Sequence, residues 1–459
     1  MNPVELTLLG FHFVHARWRL KFRDRVALEA RQQKRIKQFL STQLPRAGFY
    51  RQFSGKSLAQ LPIIDKSVML SQFDQMNAAG ITLDEATSVA LSSETSRDFN
   101  PSLRGITVGL SSGTQGPRGI FLASARERAK WAGIMLARVL PAEMIPMLIF
   151  GGAPIKVAFF LRANSNLYTT LKSKRIDFRF YDLFRGLDPH LLQLEQQQPD
   201  ILTAPSRILG RIAELVLAGT LKLSPRRVIA VAEVLEPDDR RKIEQAFGVI
   251  VHQLYQCTEG FLGYTCELGT IHLNEEFVHI EPEWVDAENT RFQPIVTDFS
   301  RSTQLVVRYR LNDILRLRKT PCTCGRVTMA LDAVEGRSDD VLWLPNVART
   351  ALAQMYPDMI RHAITSAPRN LPDYRIEQHG MVLHIAVADS DMQSYDAIVA
   401  AMRALSQRLN VHAPACRPML FVETDLHIKR RRIVCKSRPS TADVADIAHI
   451  STDAGYAHA

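Results

Sequence analysis

Between residues 105 and 340, short apolar runs rich in Val, Ile and Phe alternate with longer stretches whose apolar positions recur at helical spacing. The runs at 147–150, 201–204, 228–232 and 249–255 read as strands, and 205–218 and 238–247 as helices between them. That alternation predicts an α/β fold with a largely parallel sheet. Upstream, residues 4–42 place apolar side chains at helical spacing among many Arg, Lys and Gln, which predicts helix. Asp65 stands where the N-cap of a short helix is expected. Residues 305–309 and 314–318 read as strands of a smaller β region. After Asp340 the pattern changes: 374–387 predicts strands around a turn at Gly380, 395–409 an amphipathic helix, and 419–426 a further strand. The expected division is a helical lead-in (1–95), the core of a large α/β domain (96–338), a small α+β domain (339–438) and a disordered tail (439–459) rich in Ala, Asp, Ser and Thr.

The length of 459 residues favours more than one domain, and an apolar fraction of 46% allows a large core. No uninterrupted apolar run reaches the roughly 18 residues of a spanning helix. The stretch 4–14 has neither a basic segment before it nor a small-residue cleavage site, so a cytoplasmic protein is expected. The net charge of +10 raises nucleic acid as a partner, but the basic residues are scattered and lack interleaved aromatics. Anionic substrates account for the charge equally well. Six cysteines in so long a chain do not make a disulfide framework.

The strongest local feature is Ser111-Ser112-Gly113-Thr114-Gln115-Gly116-Pro117-Arg118-Gly119. Small residues let backbone N–H groups and hydroxyls approach phosphate oxygens closely. It is not a Walker A loop, having no Gly-Lys-Ser/Thr, and its glycines do not follow the dinucleotide-binding spacing. The segment resembles the phosphate-binding loop of the adenylate-forming (AMP-binding) superfamily, Ser-Ser-Gly-Thr-Thr/Ser-Gly. Four further motifs similar to that superfamily's follow in order. They are Ala232-Glu233, Tyr255-Gln256-Cys257-Thr258-Glu259, Tyr309-Arg310-Leu311-Asn312-Asp313 and Gly336-Arg337-Ser338-Asp339-Asp340. Leu61-Pro62-Ile63-Ile64-Asp65-Lys66, the Cys322-Thr323-Cys324-Gly325-Arg326 element and the doubled Asp resemble the phenylacetate–CoA ligase branch. Within that branch the loop looks closest to the clade related to the synthetase that adenylylates a deazaflavin coenzyme. Two departures stand out: Asn312 replaces a Gly, and Ala232-Glu233 lacks a preceding Gly.

The resemblance implies ATP and Mg²⁺ as cofactors and assigns roles. Ser111, Ser112, Gly113, Thr114 and Gly116 would hold phosphates, with Thr258 on the α-phosphate and Glu259 on Mg²⁺. Ala232, Glu233, Tyr255 and Gln256 would lie around adenine. Asp313 would accept both ribose hydroxyls, with Arg337 close by. Asp339 and Asp340 would form the hinge of the small domain, and Lys429, in register with the family's C-terminal lysine, would neutralise charge during adenylation. Lys436 is its rival. The expected reaction converts an acyl or aryl carboxylic acid into an adenylate and then passes the acyl group to coenzyme A, a carrier-protein thiol or another nucleophile. The alternative is a nucleotidyltransferase that leaves AMP on a hydroxylated cofactor. Separately, Cys266, His272, Cys322 and Cys324 supply three thiolates and an imidazole, the ligand set of a closed structural zinc site.

Overall fold

The computed structural model describes residues 2–96, 100–111, 118–162, 170–366, 371, 373–388, 392–423, 425 and 429–440. The expected tail beyond 440 lies outside them. Contacts divide the chain into two units: 1–311 with 315–334, and 312–314 with 335–459.

The first unit opens with helix Pro3–Val14, capped by Asn2 in a capping box, and helix Arg25–Thr42, capped by Asp24. The single helix expected over 4–42 is therefore two, separated at 15–24 by a π-helical turn. Asp65 caps helix Lys66–Ser71, accepting from the Val68 amide at 2.9 Å. Strands β1 (Ser102–Leu103), β2 (Ile106–Leu110) and β3 (Ile120–Ala123) form a small antiparallel sheet.

The main sheet has twelve strands. Its parallel half runs β5 (Ile176–Asp182), β4 (Ile155–Leu161), β6 (Ile201–Pro205), β7 (Arg227–Val231) and β8 (Val251–Cys257). From β8 it continues through β9 (Gly260–Thr265), β10 (Ile271–Leu273), β15 (Ala330–Arg337), β14 (Asp313–Leu317), β12 (Arg291–Thr297) and β11 (His279–Trp284), with β13 (Tyr309–Arg310) on β12. The expected parallel sheet thus covers one half only. β8 joins the two halves, parallel to β7 and antiparallel to β9. Ligands of open α/β sheets bind outside the carboxyl ends of the parallel strands. β6 and β7 are buried throughout, as parallel strands covered on both faces must be.

Two strand expectations fail locally. Residues 147–150 belong to helix Ile145–Phe150, since a short apolar run does not by itself distinguish helix from strand. Of 305–309, only Tyr309 enters a strand.

The second unit carries a hairpin, β16 (Leu342–Pro345) and β17 (Leu352–Met355), and a four-stranded sheet ordered β20 (Ala415–Pro418), β19 (Val382–Val387), β18 (Tyr374–His379), β21 (Ile433–Ser437). With helices Pro357–Thr365 and Met392–Arg408 it encloses its own core. The strand expected at 419–426 is absent among the described residues there. Its place in the sheet is taken by β20, and β21 was not anticipated because it follows a run of four cations, 429–432.

Helix Ala125–Val139 organises the first unit. Ala129, Ala132, Gly133 and Ala137 let neighbours come close. A Cβ on Gly133 would lie 2.4 Å from the Leu9 carbonyl oxygen and 3.0 Å from the Phe13 amide, so helix Pro3–Val14 crosses there with nothing between the backbones. Gly133→Val is expected to cost about 1–3 kcal/mol, because backbone cannot yield as a side-chain tip can. Limited proteolysis should show the first twenty residues or so released early in the variant, alongside a lower melting temperature.

Candidate functional site

Thr258 and Glu259 form the turn between β8 and β9, at the carboxyl end of the last parallel strand. Arg301 grips this turn: its Nη1 donates to the carbonyls of Thr258 (2.9 Å) and Glu259 (3.3 Å), and its Nη2 to Leu122 (3.1 Å). The Thr258 hydroxyl donates to Glu259 Oε2 at 2.8 Å. The Tyr309 hydroxyl lies close enough to Glu259 to feel its charge. Burial, then the Glu259 charge, raise the Tyr309 pKa far above its ordinary value, so it remains a donor at all working pH. The Glu259 carboxylate is thus aimed by the Thr258 hydroxyl.

Behind the turn lies a second carboxylate. Glu127, in the capping box of helix Ala125–Val139, accepts from the amides of Ser302 (2.6 Å) and Thr303 (2.9 Å), from both their hydroxyls and from Ser124. This fixes the segment that presents Arg301. Burial would raise the Glu127 pKa, but the Thr303 hydroxyl, the Arg301 charge and the Ser302 and Ser124 amides hold it below the ordinary value. Lys130, one turn further on, donates to the Ser300 carbonyl at 2.8 Å, and burial lowers its pKa. Asp298 is buried beside them, accepting from the Ser300 amide at 2.8 Å, and burial raises its pKa.

The glycine-rich loop begins at this turn. The Ser111 amide donates to Gly119 at 2.7 Å, and the Gly119 amide returns a bond to Ser111 Oγ at 2.7 Å. A Cβ on Gly119 would stand 3.7 Å from Thr258 Oγ1. The stem of the loop therefore abuts the Thr258 hydroxyl. Ser112, Gly113, Thr114 and Gly116 lie outside the described residues. Arg118 is held by Glu94 through two bonds, at 2.6 and 2.8 Å.

Ala232 and Glu233 leave the carboxyl end of the neighbouring strand β7. Ala232 adopts φ +66°, a left-handed conformation rare for a residue with a Cβ. Glu233 lies within electrostatic reach of Arg162. Tyr255 and Gln256 sit half-buried at the end of β8, and Gln256 accepts from the Trp131 indole at 3.2 Å. Below them is an apolar cavity of about 120 Å³ between helix Ala125–Val139 and the sheet. Its strand residues are spaced by two (Ile201 and Thr203, Ile229 and Val231, Ile176 and Phe178), as one face of a sheet requires. No charged side chain is among the described residues lining it. Ala232 and Gln256 close one end.

In the second unit, Asp313 opens β14 and Arg337 ends β15, both half-buried. Gly336 takes φ +119°, which excludes a side chain there without strain. The unexpected Asn312 ties this region together: its carbonyl accepts from Ser338 at 2.7 Å and its amide donates to Asp339 at 3.2 Å. Asp340 is buried and pairs with Arg431, whose Nε lies 3.0 Å away. Lys429 is half-buried in the same unit, while Lys436 on β21 faces Glu377 at 3.9 Å.

The four metal-ligand candidates converge although 56 residues separate the first from Cys322. Their donor atoms all lie within 4.8 Å of one another. Cys266 and Cys322 sulfurs are 3.9 Å apart, and Cys324 Sγ is 3.3 Å from His272 Nε2. The edges of a zinc tetrahedron built on its usual bond lengths are about 3.8 Å for S···S and about 3.5 Å for S···N. Thr328 faces the other imidazole nitrogen, Oγ1 at 3.2 Å, as an outer-shell partner would. The donor set fits a structural tetrahedral ion.

Sequence reasoning did not reach Arg301, Glu127, Lys130 or Trp131, which belong to no short motif and act through the folded arrangement.

No family model matches the chain. A phenylacetate–coenzyme A ligase of Thermus thermophilus is 25% identical over 167 residues, which is 34% of this chain and 36% of that relative, so the match spans about a third of the curated relative's length. Among solved structures, 2-hydroxyisobutyryl-CoA ligase in the postadenylation state, in complex with 2-HIB-AMP, aligns with a TM-score of 0.60 at 18% identity, covering 89% of each chain. The acyl acid amido synthetase GH3.15 aligns with a TM-score of 0.54 at 13% identity, covering 86% of each. At such identities the likeness is one of fold. The chain has the fold of the adenylate-forming enzymes. In sequence, about a third of the chain is similar to a phenylacetate–coenzyme A ligase.

Glu127→Gln should destabilise the first unit by about 2–3 kcal/mol, the cost of weakening buried charge-assisted hydrogen bonds. The sign with pH follows from linkage. A carboxylate whose folded pKa is depressed stabilises above its unfolded pKa and loses that contribution as pH falls through the folded one. Calorimetry from neutral to acid pH should therefore show the gap in melting temperature between wild type and variant closing on acidification.

Proposed function

We propose that the protein activates a carboxylic acid with ATP, giving an acyl- or aryl-adenylate and pyrophosphate, and then transfers the acyl group to a nucleophile, coenzyme A first among them. The observation that carries this reading is the shared wall: Ala232 and Gln256, which belong to two nucleotide motifs, also close the apolar cavity. An acid buried in that cavity would present its carboxylate at the carboxyl ends of β7 and β8, beside Thr258 and Glu259.

The carboxylate oxygen attacks the α-phosphorus, the bond to the β-phosphate oxygen breaks, and pyrophosphate leaves. Glu259 would hold Mg²⁺, which when bound would neutralise charge on the phosphates. Thr258 would donate to the α-phosphate, and Ser111 to Gly116 would hold the others. Lys429 would neutralise the approach of two anions, and Asp313 and Arg337 would contact the ribose. In the second step the nucleophile attacks the acyl carbon and AMP departs.

The cavity also limits the acid. An apolar cavity of 150 Å³ in another protein holds benzene, so one of about 120 Å³ suits an aryl ring or a chain of roughly six carbons. No charged group among the described residues lines it to pair with an amino group or a second carboxylate, which would be costly to bury. The same argument disfavours the nucleotidyltransferase alternative, whose hydroxylated acceptor would bury unpaired polar groups.

ATP–pyrophosphate exchange with a panel of acids tests the reading. Small apolar monocarboxylates should support exchange, and a stable phosphodiester product without acid consumption would refute it. Glu259→Gln should cut exchange by at least about a hundredfold, through loss of metal charge. Lys429→Ala should do likewise yet still transfer from a preformed adenylate, and loss of both half-reactions in that variant would remove its assigned role.

We also infer that Cys266, His272, Cys322 and Cys324 hold zinc, with a structural role since four protein ligands leave no open position. Elemental analysis of protein prepared without chelator should find about one zinc per chain. Cys322→Ser should lower metal content and melting temperature together.

A further inference from the structure

One helix departs from the usual division of faces. From Pro3–Val14 into the π turn His15–Arg19, Phe13, Ala16 and Leu20 are buried in one core with Ile134, Met135 and Leu136. A helix that packs one face on a globular core ordinarily turns polar residues outward. Here the outward side is apolar as well: Val4, Leu6, Phe11, Val14 and Trp18 are 62, 59, 60, 48 and 42% exposed. Val4, Phe11, Val14 and Trp18 follow one another by seven, three and four residues, which aligns them along one side of the helix.

The helix is also firmly seated. Its backbone meets Gly133 directly, and Arg17 Nη1 donates to the carbonyls of Ala137 and Leu140, both at 3.0 Å. The exposed side chains are thus presented by a fixed element. Immediately after Trp18 the chain turns cationic. Residues 17–25 hold Arg17, Arg19, Lys21, Arg23 and Arg25 against the single carboxylate Asp24. Arg19, Lys21 and Arg23 are exposed, and of these Arg23 meets Asp24.

We propose that this helix is a lipid-binding surface that seats the protein on an anionic membrane. Val4, Phe11, Val14 and Trp18 enter the interfacial region, and Arg19 and Lys21 meet lipid phosphates. An apolar face that ends in cations, with Trp and Phe as its large members, is the pattern of interfacial helices. A second copy fits less well. The stripe of Val4, Phe11, Val14 and Trp18 runs straight into the cationic residues 19–23. A two-fold contact would bring two net-cationic surfaces together. No single helix among the described residues is long and apolar enough to cross a membrane, so the association is peripheral.

Cosedimentation of the full chain with vesicles tests the proposal. Vesicles of phosphatidylcholine mixed with phosphatidylglycerol should carry the protein down, phosphatidylcholine alone much less, and added salt should release it. The double variant Phe11→Ser with Trp18→Ser should lose about tenfold or more of the partitioning while keeping its circular dichroism and melting temperature. Arg19→Glu with Lys21→Glu should lose the preference for the anionic vesicles. Absence of sedimentation with either vesicle, or equal sedimentation of wild type and the double aromatic variant, would overturn the proposal. So would a dimer, seen by sedimentation velocity, that the aromatic variant converts to monomer without any vesicle binding.

Discussion

Six donors converge on the Glu127 carboxylate: amide and hydroxyl of Ser124, of Ser302 and of Thr303. The first pair belongs to the start of a buried helix and the other two to the segment that presents Arg301. A carboxylate so surrounded cannot move without leaving several buried donors unsatisfied, each at a cost of about 1–3 kcal/mol. The position of Arg301 follows from this, and through its two bonds to the turn carbonyls so does that of Thr258 and Glu259. The same helix then walls the cavity with Trp131, Met135 and Val139 and seats the N-terminal helix at Gly133. One element thereby sets the distance between the place where an acid would lie and the place where phosphates would lie.

The far end of that helix carries a second buried charge. Arg138 pairs with Glu276 at 2.8 Å, donates to the Ala16 carbonyl at 3.2 Å and lies over the Tyr264 ring at 4.6 Å. Both charged side chains are almost fully buried, a placement whose desolvation cost the mutual attraction only offsets when geometry and further bonds are good. Such a pair adds little net stability but penalises any other register of the helix, which leaves one partner unpaired. Glu127 at one end and Arg138 at the other therefore specify where the helix sits along the sheet.

The sequence was informative where chemistry or periodicity is local. The β–α alternation, the cap at Asp65, the helix 395–409 and the hairpin around Gly380 are all legible because each rests on neighbouring residues. The motifs themselves are local in the same way. Thr258, Glu259 and Ser111 are brought to one place in the first unit, as are Ala232 and Gln256, and the Cys/His set closes over a gap of 56 residues. What was hidden depends on the fold. The antiparallel half of the sheet, the split of the first helix at 15–24, the helix at 147–150 and strand β21 arise from tertiary packing that overrides local pattern. Arg301 and Glu127 sit in unremarked sequence because their role is to bond backbone groups, and backbone carries no motif.

Within the second unit the two aspartates of the Gly-Arg-Ser-Asp-Asp motif are both anchored. Asp339 receives the Asn312 amide, and buried Asp340 is paired with Arg431, so both side chains are tied to neighbours of their own unit. Burial raises the Asp340 pKa, and the Arg431 charge works against that rise. Separating the two would leave a buried carboxylate without its cation. Gly336, at φ +119°, carries no such tie and is the residue of the motif least restricted in its torsions. Asn312 in place of a glycine has a physical consequence: its side chain ties the segment opening β14 to Asp339, a bond that a glycine could not make.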